Sequence, residues 1–158
     1  MKPTVYIETT VPSYYCDECP ELRNDILRTR TWWDEERPDY ECYVSPVVIE
    51  ELEAGSYPTR SRCLELVGGL PLLEVTREVL EVAEVYQADG LMPKHPGADA
   101  VHLALASWYR VEYLLTWNCR HIANANKTRH LEAINLRLHL GLPMLVTPHQ
   151  LQKWEAGT

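Results

Sequence analysis

Five short runs of apolar, β-branched and aromatic residues punctuate the chain, and each is separated from the next by a stretch long enough for a helix. The runs are Thr4–Thr9, Glu41–Ser45, Leu72–Thr76, Glu112–Trp117 and Pro143–Thr147. Strand followed by crossover predicts a parallel sheet, because parallel neighbours cannot be joined by a tight turn. Such a sheet is covered on both faces. The intervening segments carry helical signals. In "SPVVIEELEAG", Ser45 stands as the N-cap, Pro46 at the first helical position and Gly55 as the stop. "TREVLEVAEVYQA" sets Val79, Val82, Ala83 and Tyr86 on one face, and "ADAVHLALASWY" is apolar nearly all round, the mark of a buried helix. "PELRNDILRTRTWWDEE" is amphipathic along Leu22 and Ile26, and "NKTRHLEAINLRLHLG" turns Leu131, Ile134 and Leu138 inward. The expected architecture is α/β, a three-layer α/β/α domain over residues 1–148, followed by a loosely attached tail at 149–158.

With 158 residues and 46% hydrophobic content, one core suffices. No apolar run approaches the ~18–20 residues needed to span a bilayer, and Glu8 cuts short the first apolar run, so a cytoplasmic protein without a membrane partner is expected. The formal charge is −8, from 23 acidic and 15 basic residues, which argues against non-specific duplex binding over the whole surface. Basic contacts to a nucleic acid must then be local. The five cysteines follow no framework spacing. Cys16 and Cys19 form a CxxC, but no second ligand pair accompanies it, and no strand leads into it; reduced thiols are expected.

Ligands of an open parallel sheet bind beyond the C-terminal strand ends. Glu8 ends the first strand, Glu50 and Glu51 follow the second, Asp99 opens the buried helix, and Asn118 follows the fourth. Helical phase separates the glutamates. Val48, Ile49 and Leu52 centre the apolar face; Glu51 lies about 80° from that centre and Glu50 about 180° away, so Glu51 faces inward and Glu50 faces solvent. Each candidate has an ordinary alternative: a solvated strand end for Glu8, a surface acid for Glu51, a helix cap for Asp99 and a turn residue for Asn118. Three carboxylates drawn together repel unless a cation joins them. Oxygen-only ligands suit Mg²⁺ or Mn²⁺, which polarise a phosphoryl oxygen. Metal-assisted phosphodiester hydrolysis is the chemistry such a set fits. Thr9 and Thr116 are candidates to orient ligands, and Arg120, His121, Lys127 and Arg129 to meet phosphates. Trp117 reads as a core residue more readily than as a base-stacking platform. His102, one turn from Asp99, reads as a core histidine in preference to one that orients a ligand.

"VYIETTVPSYY", "SPVVIEELEAG", "GADAVHLALA" and "LLTWNCRHIAN" resemble, in order and spacing, the motifs of the PIN-domain family, which includes VapC-type toxins of toxin–antitoxin pairs. The resemblance implies a five-stranded parallel sheet and a Mg²⁺- or Mn²⁺-dependent endoribonuclease acting on single-stranded RNA, with a cognate antitoxin as partner. The family's first Asp falls on Glu8, its motif glutamate on Glu51, its helix-opening Asp on Asp99, and its last Asp on Asn118. The carboxylate at Glu8 is one methylene longer, and Asn118 lacks a charge. Those departures keep open a second reading, a weakly active or inactive module that binds RNA or protein. A homodimer is also implied. The pair Trp32-Trp33 agrees with it, since two adjacent indoles on a regular helix cannot share one core, and one of them is expected in an interface.

Overall fold

The computed structural model describes residues 1–94 and 98–153. Strand β1 (Thr4–Ile7) lies between β2 (Glu41–Tyr43) and β3 (Tyr113–Leu115), and β4 (Met144–Val146) lies beyond β3. All pairings are parallel, with Val5 opposite both Cys42 and Tyr113, and Tyr113 opposite Met144. Successive strand residues point to opposite faces, and Val5, Tyr6 and Ile7 are each fully buried, so both faces of β1 are covered. This is the layered α/β arrangement read from the alternation of strands and helices.

Among the described residues the sheet has four strands, which corrects the expected five. The run Leu72–Thr76 contributes only a bridge between Val44 and Leu72. Val44 N–H donates to Pro71 O and Leu73 N–H to Val44 O, and pairing stops there. Pro71 has no N–H to extend the ladder. At the other end the Thr76 hydroxyl accepts from Val79 N–H and caps α5 (Arg77–Ala88), so a helix begins directly after the run.

Two helices lie outside the expected set. Helix α1 (Thr10–Cys16) starts immediately after β1; Pro12 sits in its first turn, where a missing N–H costs no helical bond. Helix α4 (Arg60–Val67) is polar apart from a narrow stripe and buries Cys63 and Val67. Helices α2 (Arg23–Thr31), α3 (Pro46–Glu53), α6 (Ala98–Trp108) and α7 (Ala125–Arg137) follow the pattern of the sequence. In α5 the buried face is Val79, Val82, Ala83 and Tyr86, and in α6 every residue from His102 to Ser107 is buried.

The expectation for Trp32 and Trp33 is overturned. Both are buried, because the chain widens into a π-helical turn over Trp32–Glu36. The altered angular step lets adjacent indoles enter one core, edge to face with centroids 6.4 Å apart. The segment after β4 is also held more firmly than its composition suggests. Arg28 donates from Nε to Pro148 O at 2.6 Å and from Nη2 to Leu151 O at 3.1 Å, while its fork grips Glu36, and Leu151 is buried. The remainder of the expected tail, 154–158, and Gly97 of the third motif lie outside the described residues. No described helix is long and apolar enough to cross a membrane. All five cysteines are free.

Candidate functional site

The C-terminal end of β1 delivers Glu8, Thr9 and Thr10 in succession, and each side chain has a different task. Glu8 is 3% exposed. Its Oε1 accepts from Thr10 N–H at 3.0 Å, from the Thr10 hydroxyl at 2.5 Å and from the Thr116 hydroxyl at 2.8 Å. The same two hydroxyls accept from the chain leaving β3: Trp117 N–H donates to Thr10 Oγ1 at 2.8 Å, and Asn118 N–H to Thr116 Oγ1 at 2.9 Å. The two threonines thus tie the exits of the two central strands to one carboxylate. Thr9 turns the other way and donates to Glu51 Oε1 at 2.6 Å.

Glu51 is the half-buried glutamate of α3 and Glu50 the exposed one, as helical phase predicts. Its Oε1 also meets His102 Nε2 at 2.5 Å. Asp99, half-buried in the first turn of α6, accepts from Asn118 Nδ2 at 3.2 Å. The Asn118 carbonyl oxygen accepts from His121 N–H at 2.9 Å, so its amide nitrogen is the end that faces Asp99. Asn118 therefore serves as turn residue and as donor to the acid beside it.

The electrostatics follow from burial and neighbours. Burial pushes the Glu8 carboxyl above its usual range, although His102 and the threonine donors pull it back. Burial also acts against the charge on Glu51, but the His102 hydrogen bond and field, helped by Thr9, hold its carboxyl below the usual range. For His102 burial alone would lower the imidazole. The Glu51 hydrogen bond and the negative fields of Glu8, Glu51 and Asp99 outweigh it and raise the ring above its ordinary value. All three acids thus act electrostatically on one buried imidazole.

Of the residues named from the sequence, hydrogen bonds link Glu8, Thr116, Asn118 and Asp99 in one string and Thr9 and Glu51 in a second. Thr10, whose place after Thr9 carries no spacing signal, is missed, and His102, expected as a core residue, adds a contact to Glu51. The basic candidates divide. Arg120 and Arg129 are exposed, with no ion pair among the described residues. His121 is half-buried through its backbone turn, and the Lys127 ammonium donates to Leu91 O. Trp117 is half-buried, stacks on Tyr14 with centroids 5.2 Å apart and donates from Nε1 to Thr29 Oγ1 at 2.9 Å.

The residues suit a hard cation in kind more than in arrangement. Among the described residues no hydrogen bond reaches Glu8 Oε2, Glu51 Oε2 or Asp99 Oδ1. Each acid thus keeps one oxygen without a partner among the described residues, the donor type that Mg²⁺ and Mn²⁺ take. No three of the described His, Cys, Asp and Glu residues are gathered closely enough to hold an ion as they stand.

No family model and no curated protein matches the chain. Among solved structures it is similar to VapBC2 from Rickettsia felis, crystallised bound to a DNA fragment from their promoter, with a TM-score of 0.52 and 12% identity. The alignment covers 96% of this chain and 99% of that one. At such low identity the likeness speaks for the fold, which extends over nearly the whole chain.

Proposed function

We propose that the protein is a metal-dependent endoribonuclease that cleaves single-stranded RNA and forms the toxin half of a toxin–antitoxin pair. The observation that carries the reading is the set of three acids, Glu8, Glu51 and Asp99, at the C-terminal edge of a parallel sheet, each with one oxygen that no described residue hydrogen-bonds. The fold shared with VapBC2 adds the toxin–antitoxin context. Glu8, Glu51 and Asp99 would hold Mg²⁺ or Mn²⁺ through those oxygens, with Asn118 beside Asp99. When bound, such an ion neutralises the acids and polarises a phosphoryl oxygen. Thr10 and Thr116 fix Glu8, Thr9 fixes Glu51 and Asn118 meets Asp99, which lowers the entropy cost of ordering the acids. Arg120, His121 and Arg129, on the loop after β3 and on α7, are the groups to meet RNA phosphates; Lys127, engaged with Leu91 O, would have to release that carbonyl first. The cognate antitoxin and a homodimer belong to the same proposal. The dimer loses the support of the Trp32-Trp33 pair, which lies in the core.

The test is cleavage of a labelled single-stranded RNA with Mn²⁺ or Mg²⁺, and its absence in EDTA. Asp99→Asn removes one charge at nearly constant shape and is expected to lower cleavage by ~10²-fold or more, about 2.7 kcal/mol of barrier. Cleavage that survives both EDTA and Asp99→Asn refutes the assignment. The looseness of the acid cluster favours a second reading, a PIN-like module that binds RNA without cutting. Retained RNA binding with no cleavage at any metal concentration selects it.

A further inference from the structure

Behind the acids runs a chain of buried polar groups that packing alone does not require. Ser45 stands at the N-cap of α3, yet its hydroxyl makes no cap hydrogen bond; it meets the Tyr6 hydroxyl at 2.8 Å. Tyr6, in the middle of central strand β1, places that hydroxyl 2.6 Å from His102 Nδ1. His102, on α6, reaches Glu51 Oε1 from its other ring nitrogen. Ser45, Tyr6 and His102 are each 0% exposed, and the chain comes toward solvent only at Glu51, whose side chain is 35% exposed. Apolar side chains of similar shape would fill the same space without polar groups to satisfy. What the polar chain adds is direction. An ionised Glu51 can only accept, so His102 Nε2 carries the proton between them, and Tyr6, steadied by Ser45, fixes the other edge of the ring. Outer partners that hold a ligating side chain through one atom and leave another free are the usual means of aiming a metal ligand. Thr9 adds a second donor on the same Oε1.

We infer that Ser45, Tyr6 and His102 are positioning residues that hold Glu51 by Oε1 and reserve its Oε2 for a cation. This rests on the metal site proposed above. Its test therefore includes a readout on the metal-free protein. With glutamate carboxyls labelled with ¹³C in the full chain, the Glu51 resonance in EDTA is expected to shift and broaden in His102→Leu. It should return toward the wild-type position in His102→Gln, which keeps an N–H donor. Calorimetry with Mn²⁺ should show about a 10–100-fold loss of affinity in His102→Leu, a smaller loss in Tyr6→Phe and near wild-type binding in His102→Gln. A Glu51 resonance unmoved in His102→Leu overturns the inference. So does unchanged Mn²⁺ affinity in that variant when Glu51→Gln abolishes binding. If the wild-type chain binds no Mn²⁺, the reservation of Oε2 for a cation falls with the metal reading, while the carboxyl resonance still decides whether His102 holds Glu51. Tyr6→Phe loses a single oxygen and keeps the ring beside His102, so it carries both measurements if His102→Leu does not fold.

Discussion

Replacing Asn118 by Asp restores the acid that the sequence resemblance expects, and the structure sets what it should cost. Asn118 Nδ2 now donates to Asp99 Oδ2 at 3.2 Å; in the variant that contact becomes two carboxylate oxygens at the same separation. Two unit charges 3.2 Å apart repel by about 5 kcal/mol at an effective dielectric of ~20, and by about 1.3 kcal/mol at that of water. Both side chains are half-buried, so water screens much of it, and about 2 kcal/mol is the expected repulsion. The lost hydrogen bond adds about 1 kcal/mol. The acceptor for His121 N–H survives, because the aspartate keeps that oxygen. A total near 3 kcal/mol corresponds to a fall of about 6–12 °C in melting temperature for a chain of this size. Mn²⁺ at a hundred times its Kd returns about 2.7 kcal/mol, nearly the whole loss. Differential scanning calorimetry in EDTA and across a Mn²⁺ titration measures both. A variant that melts in EDTA within a degree of wild type refutes the facing of Asp99 and Asn118. A destabilised variant that Mn²⁺ raises no further than it raises wild type refutes the sharing of a cation between them.

Glu36→Gln leaves the nearly buried Arg28 guanidinium without its counter-charge, and an expected loss of about 3 kcal/mol at pH 7 is checked by urea unfolding. Burial opposes the Glu36 charge, but Arg28 and the Lys153 N–H win and hold its carboxyl below the ordinary 4.5. Its contribution is therefore full above about pH 4.5 and lost as pH falls through the lower folded value, so wild type and Glu36→Gln should converge in stability at low pH. Gly141→Ala would set a Cβ 3.0 Å from the Arg110 Cα, a backbone atom at positive φ that cannot yield cheaply. A loss of about 1–3 kcal/mol in the same urea assay is expected. For the homodimer, light scattering at micromolar concentration should return twice the chain mass; the monomer mass would remove that part of the proposal.

The layered fold, and the strand and helix ends that carry the candidate acids, were legible because strand and helix periods are local. Glu51 was separable from Glu50 because a 100° step suffices to phase a short amphipathic helix. The failures mark places where local pattern gives way to competing hydrogen bonds or altered geometry. Leu72–Thr76 has strand composition, but Pro71 and the capping role of Thr76 leave it one bridge. The Trp32-Trp33 pair obeys no 3.6-residue rule because the backbone there is π-helical. Helix α1 was hidden by its proline and β-branched start. At the site, the sequence named the acids but not their grip: which oxygen of Glu51 is held, and by which nitrogen of His102, depends on contacts between residues 51 positions apart.

The position of β1 also governs when the molecule can work. Strand β1 is a central one, and Val5 waits for Tyr113 to complete its pairing. Contacts so distant along the chain close slowly and late. Until β3 has left the ribosome, Thr4-Val5-Tyr6 can pair with β2 on one edge only, and Glu8 lacks the Thr116 hydroxyl that steadies it. Asn118 has not yet been made, and α6 has no finished sheet to pack against. The site proposed to cut RNA is thus incomplete until synthesis has passed residue 118, the last of the residues that join its acids.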